Sequence, residues 1–221
     1  MRSAQKGVIF DMDGVIINNN DWHVKSWMEY ARRRGIALTE AEFPTRVFGK
    51  TNEEILALEY PDASPEQLFA WSLEKEALYR DMYRPHFRLA DGLLAFLDFL
   101  KKNQIPIAVA SNAPLVNIDF ALDEGQIRHY FDAVVYPAII AKPKPAPDAY
   151  LKAAELLGLE PAQCFVIEDS PTGLQAAVAA GCRAIGITST FPETELRKYT
   201  QKIVSDFSEI QLIVVNEVET V

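Results

Sequence analysis

Phe10-Asp11-Met12-Asp13-Gly14-Val15, preceded by Val8-Ile9, is the stretch that decides how this chain reads. Three consecutive apolar residues without alternation fit an interior strand of a parallel sheet, covered on both faces. Gly14 permits the backbone turn that must follow. The aspartates then stand at the strand's carboxyl end, where open α/β sheets hold their ligands. One carboxylate can act as nucleophile or metal ligand while the other handles a proton. The competing reading of the hexapeptide alone is a strand end with two solvated aspartates in a turn.

Beyond Val15 the pattern turns helical: Trp22, Trp27, Met28, Tyr30 and Ala31 fall near helical spacing and Gly35 marks a stop. Residues 39–83 contain several amphipathic helix candidates, with breaks expected at Phe43-Pro44, Phe48-Gly49 and Tyr60-Pro61, and no convincing strand. Residues 18–87 therefore read as a helical insertion. From Asp91 onward helices are expected at 92–102, 147–157 and 172–180, alternating with strands at 105–110, 133–136, 164–167 and 184–187 and a short one at 202–204. Such alternation implies a parallel sheet with right-handed crossovers. The expected architecture is an α/β Rossmann-like core, residues 1–17 and 88–221, with an inserted α-helical domain over 18–87.

The 221 residues are 49% hydrophobic, ample for a real core, and carry a formal charge of -9. That balance disfavours nonspecific affinity for nucleic acid or an anionic membrane, since either needs a basic surface. An acidic protein that handles an anion must concentrate its cations locally. Cys164 and Cys182 have neither metal-type nor redox-motif spacing and read as buried free thiols. The short polar N-terminus leaves no room for a secretory signal before the first strand, and no run approaches ~18 apolar residues. A cytoplasmic monomer is the expectation.

Three further strand ends carry polar chemistry. Ser111-Asn112-Ala113-Pro114 places a hydroxyl and an amide where a helix should start, which suits an anionic oxygen or an ordinary N-cap. Lys142 and Lys144 lie in a loop stiffened by Pro143, Pro145 and Pro147; a fixed ammonium there could neutralise a carboxylate and a phosphate, or the loop is a solvated turn. Glu168-Asp169-Ser170-Pro171 ends the 164–167 strand, with Ser170 as cap and Pro171 in the first helical turn. Its two acids could hold a hard cation such as Mg2+, which prefers oxygen ligands, or only cap the helix. His23, on a helix with two tryptophans, is a packed residue or a functional one.

Taken together, Asp11-x-Asp13, Ser111, Lys144 and Glu168-Asp169 resemble the haloacid dehalogenase superfamily, in the branch with β-phosphoglucomutase and small sugar-phosphate phosphatases. The resemblance covers nearly the whole chain and implies a helical cap inserted after the first strand. It implies Asp11 as the nucleophile that becomes an aspartyl-phosphate, and Asp13, absent from the dehalogenases, as general acid and base. Asp11, the Asp13 carbonyl and Asp169 resemble Mg2+ ligands with Glu168 in support, and Ser111, Asn112 and Lys144 the phosphate-binding group. In the cap, His23 and Lys75 match positions that mutases use. Asn52 stands where mutases carry an arginine, in Phe48-Gly49-Lys50-Thr51-Asn52, while Pro114 replaces a lysine; Arg46 and Lys50 could compensate as cations in the cap loop. The segment Gly186-Ile187-Thr188-Ser189-Thr190 resembles the phosphatases. The implied activity is a Mg2+-dependent phosphatase of a small phosphorylated substrate. The alternatives are β-phosphoglucomutase and a noncatalytic binding protein on the same fold.

Overall fold

A computed structural model describes residues 5–47 and 50–219. Phe48 and Gly49, two residues of the expected cap loop, lie outside the described residues. The chain divides into two compact units, one of residues up to Asn18 and from Arg88 onward, the other Asn19–Phe87.

The elements in chain order are β1 (Gly7–Phe10), α1 (Asn20–Arg34), α2 (Phe43–Arg46), α3 (Asn52–Glu59), α4 (Pro65–Tyr83), α5 (Leu93–Lys102), β2 (Ile107–Ala110), α6 (Leu115–Glu124) and β3 (Ala133–Val135), followed by α7 (Asp148–Leu156), β4 (Cys164–Glu168), α8 (Pro171–Ala179), β5 (Arg183–Ile187), α9 (Glu193–Leu196), β6 (Ile203–Val204) and α10 (Phe207–Glu219). The first unit is built on a six-stranded parallel sheet of order β3-β2-β1-β4-β5-β6. β1, β2 and β4 are buried at every residue, which explains why they read as unbroken apolar runs. Ile9 pairs in register with Ala108 on one side and Val166 on the other, so the carboxyl ends of β1, β2 and β4 share one edge of the sheet. One face packs Ile9, Ala108 and Val166 under Tyr150 of α7 and Leu174 of α8. On the opposite face Phe10 stacks against Phe207 of α10, 6.2 Å between ring centres, and tilts on Phe96 of α5 at 5.9 Å. Those contacts fix β1 at the sheet's centre and give its acidic end a rigid base.

The helical unit holds α1 to α4. Gly35 closes α1 in the left-handed conformation, φ 68°, its N–H bonding the Ala31 and Arg32 carbonyls. Thr51 and Ser64 each form a capping box, opening α3 and α4. Trp27, Tyr30, Phe43 and Leu56 pack as this unit's own core. No helix among the described residues is long and apolar enough to cross a membrane.

Three sequence expectations are corrected and one helix is added. Phe43-Pro44 begins the short helix α2 instead of breaking one, because a proline in the first turn lacks only an N–H that would be unbonded anyway. The helix after β2 starts at Leu115 with Pro114 as its cap residue, so Ser111 is not its N-cap. Cys182 is only partly buried, while Cys164 is buried as expected. The C-terminal helix α10 was not foreseen, although its Phe207 completes the aromatic layer on Phe10.

Candidate active site

After β1 the chain turns tightly, with the N–H groups of Val15, Ile16 and Ile17 all donating to the Met12 carbonyl at 3.2, 2.9 and 3.2 Å. Gly14 takes φ 78°, and a Cβ there would sit 2.0 Å from Asp169 Oδ2, so glycine is required on both conformational and steric grounds. The turn leaves Asp11 buried and Asp13 half-buried at the strand end. Ser189 Oγ donates to the Gly14 carbonyl at 2.5 Å, tying the loop after β5 to this turn.

Lys144 reaches the same place from the proline-rich loop before α7. Its Nζ donates to Asp11 Oδ1 at 2.6 Å and to Glu168 Oε1 at 2.7 Å, and the residue is buried. The loop is clamped by Asn112, whose Oδ1 accepts from the Lys144 N–H at 3.0 Å and whose Nδ2 donates to the Lys144 carbonyl at 3.2 Å. Asn112 thus positions the lysine through its backbone. Ser111, buried at the end of β2, accepts the Ala113 N–H at 3.0 Å with its Oγ, shaping the turn that precedes α6.

Glu168 ends β4 in a full set of donors: Lys144, the Tyr150 hydroxyl at 2.6 Å, and the Ser170 N–H and Oγ at 3.1 and 3.0 Å. Ser170 also caps α8, accepting the Gly173 N–H at 3.0 Å. A Cβ on Gly173 would lie 1.6 Å from Glu168 Oε1, so α8 approaches the acid only because that residue has no side chain. Asp169, next along the chain, is buried as well.

Oxygens of Asp11, Glu168 and Asp169 lie within 4.8 Å of one another. Three carboxylates against the one Lys144 ammonium leave two negative charges in excess if all ionise, and burial makes that excess costly. Burial, with the charges of Glu168 and Asp13 added and Lys144 opposing, pushes Asp11 up to about 7. Burial, then Glu168 and Asp11, hold Asp169 well above the usual carboxylate range, against a hydrogen bond from Thr190 and the Lys144 charge. Burial alone would lower Lys144; the charges of Asp11 and Glu168 outweigh it and carry the ammonium above its ordinary value. Clustered oxygen donors with excess negative charge are the chemistry of a site for a hard divalent cation.

Tyr150 and Gly173 were not singled out from the sequence, and Thr190 entered it only within the segment 186–190, without a role. Tyr150 looks like any apolar-face helix residue, and Gly173 gave a signal only as a glycine inside a helical run.

Within the helical unit, His23, Asn52 and Lys75 fall together. Lys75, buried, donates to Glu76 Oε1 at 2.9 Å and lies 3.4 Å from His23 Nδ1; Asn52 Nδ2 donates to the same Glu76 oxygen at 2.6 Å. The His23 ring stacks on Tyr79 with centres 4.1 Å apart. Arg46 and Lys50 are engaged elsewhere. Arg46 pairs with Glu59, and the Lys50 ammonium caps the Thr45 and Arg46 carbonyls at 3.0 and 3.2 Å. Glu76 was missed because an acid beside a lysine on a helix reads as a surface pair.

The family model described as haloacid dehalogenase-like hydrolase matches residues 8–187. The chain is 34% identical to the fructose-1-phosphate phosphatase of Escherichia coli over 85% of its own length and 98% of that protein's. It is 31% identical to the β-phosphoglucomutase of Bacillus subtilis, covering 82% of this chain and 83% of the relative. Two longer chloroplastic relatives from Arabidopsis thaliana are matched over 52% and 20% of their length, so the chain spans about half or less of those proteins. Among solved structures, a HAD hydrolase of family IA, variant 3, from Entamoeba histolytica superposes with a TM-score of 0.88 at 31% identity, covering 97% of this chain and 99% of that one. The strand-end acids, the parallel sheet and the matched span agree: this chain belongs to the haloacid dehalogenase-like hydrolases.

Proposed function

We propose that the chain is a Mg2+-dependent phosphatase that hydrolyses the monoester of a small phosphorylated metabolite, a sugar or polyol phosphate, through an aspartyl-phosphate on Asp11. The observation that carries this reading is the buried cluster of Asp11, Glu168 and Asp169, the first two of which share the ammonium of Lys144. Asp11, Asp169 and the Asp13 carbonyl would hold Mg2+, with Glu168 in support. The cation supplies charge stabilisation to the transferring phosphoryl group and keeps Asp11 ionised.

The Asp11 carboxylate attacks phosphorus in line with the ester oxygen; a bond forms from its oxygen to phosphorus as the ester P–O bond breaks. Asp13 gives its proton to the leaving alkoxide. It then takes a proton from water, whose oxygen attacks the same phosphorus and releases the Asp11 carboxylate and inorganic phosphate. Lys144 balances the charge of nucleophile and phosphate, which would otherwise repel, while Ser111 donates its hydroxyl to a phosphate oxygen. In the helical unit, His23, Asn52 and Lys75 with Glu76 are proposed as substrate-recognition residues.

Hydrolysis is preferred to transfer onto a second hydroxyl. A mutase must hold a bisphosphate, yet Asn52 replaces the mutase arginine and is bonded to Glu76, while Pro114 replaces the lysine and caps α6. The test is phosphate release from a panel of phosphorylated sugars, polyols and small acids with Mg2+. Release by wild type and its loss in Asp11→Asn are expected. Conversion of β-glucose 1-phosphate to glucose 6-phosphate that needs a bisphosphate primer would overturn the preference, and release that survives in Asp11→Asn would overturn the mechanism.

A further inference from the structure

The two cysteines lie outside the acid site, and no step of the proposed reaction uses them. Cys164 opens β4 and Cys182 immediately precedes β5; Phe165 stands opposite Arg183 in these parallel strands, so one residue earlier Cys164 stands opposite Cys182. Register partners on adjacent strands project to the same face. Both belong to one apolar cluster, Cys164 within it and Cys182 packed against it. Adjacent strands lie about 4.8 Å apart, inside the window of about 4.4–6.8 Å between the Cα atoms of a disulfide. Cys164 is fully buried, its thiol turned to the Glu160 carbonyl at 3.7 Å, whereas Cys182 is partly open to solvent. Burial pushes Cys164 up to about 11, and burial with the neighbouring Cys164 pushes Cys182 up to about 12.

We infer that Cys164 and Cys182 are a modification site, forming a reversible intramolecular disulfide when a peroxide oxidises the protein. The Cys182 thiolate attacks one peroxide oxygen, the O–O bond breaks, and sulfenic acid and hydroxide result, the hydroxide taking up the proton the thiol had released to become water. The Cys164 sulfur then attacks the Cys182 sulfur, the S–S bond forms and the sulfenic hydroxyl leaves as water. In sum two thiols and one hydrogen peroxide give one disulfide and two waters, and a dithiol reductant reverses the change. The cross-link closes the segment that carries Glu168, Asp169 and α8, so it restricts the unfolded chain around the acid pair. Thiolate is scarce at neutral pH, which makes the reaction slow there and faster by about tenfold per pH unit as the thiols begin to ionise.

The experiment exposes the full chain to hydrogen peroxide at pH 7.5 and 9, blocks remaining thiols by alkylation, and analyses the digest by mass spectrometry. The expected result is a peptide pair joined through Cys164 and Cys182, formed faster at pH 9, with an upward shift in Tm that dithiothreitol removes. In Cys164→Ser the same exposure should leave a sulfenic acid at Cys182 that dimedone traps. Should that buried substitution prevent folding, Cys182→Ser serves instead, and its Cys164 should stay reduced. Overoxidation of Cys182 with Cys164 still a thiol, a disulfide between two chains, or no oxidation at pH 9 would each overturn the assignment. These readouts do not involve phosphate release and stand whether or not the proposed reaction occurs.

Discussion

Lys144 carries more of the site than a phosphate contact would require, since it is the only ammonium among the described residues bonded to both Asp11 and Glu168. Asp11, at about 7, keeps a proton in the folded state that the unfolded chain releases near pH 4, so its contribution to stability falls as pH rises between those values. The stability of metal-free wild type relative to Asp11→Asn should therefore decline from pH 5 to pH 8 in urea titrations, and a flat difference would contradict the burial argument. Lys144 has the same sign in a higher window: its pKa is raised too, so its contribution is whole below the ordinary lysine value and is lost only above it. Tyr150→Phe removes one donor from the buried Glu168 carboxylate and should cost about 1–3 kcal/mol in the same titrations.

At the scale of elements, the contact between α8 and β4 is the most exacting in the site. Gly173→Ala forces a methyl into Glu168 and should destabilise by roughly 1–3 kcal/mol, with a matching loss of metal affinity by calorimetry, because the acid must move. An alanine tolerated with unchanged affinity would show that α8 can retreat freely. The strand ends were legible in the sequence because β1, β2 and β4 are buried on both faces, so their apolar runs stop abruptly at Asp11, Ser111 and Glu168. Helix ends with a glycine or a hydroxyl cap, such as Gly35 and Ser170, were legible for similar local reasons. The start of α10 carried a local mark as well, Asp206, whose Oδ1 accepts the Ser208 and Glu209 N–H groups at 2.8 and 3.3 Å, but its place over Phe10, like the polar partners of Tyr150 and Glu76, depends on tertiary contact. Arg46 and Lys50 illustrate the reverse, cations whose direction is set by Glu59 and by helix carbonyls rather than by a ligand.

For the whole molecule, a site that would carry two surplus buried negative charges if its three acids ionised implies linkage between metal, protons and folding. Mg2+ at about a hundred times its Kd should stabilise the sheet unit by about 2.7 kcal/mol, roughly 5–10 °C in Tm by scanning calorimetry. The shift should be larger at pH 8 than at pH 5, because Asp11 and Asp169 must shed protons to bind the cation. A shift equal at both values would mean that the ion binds elsewhere. The -9 charge of the chain makes the concentration of Lys144 at this one edge the device by which an acidic protein could accept an anionic ester.

The central claim, that Asp11 is the nucleophile of a phosphoryl transfer, is tested most directly by acid-quenching the enzyme within its first turnover and mapping added phosphate by mass spectrometry. A phosphoryl group on the peptide containing Asp11, present in wild type, more persistent in Asp13→Asn and absent in Asp11→Asn, is the expected result. Phosphate release with no covalent phosphate on that peptide at any quench time, Asp13→Asn included, would contradict it.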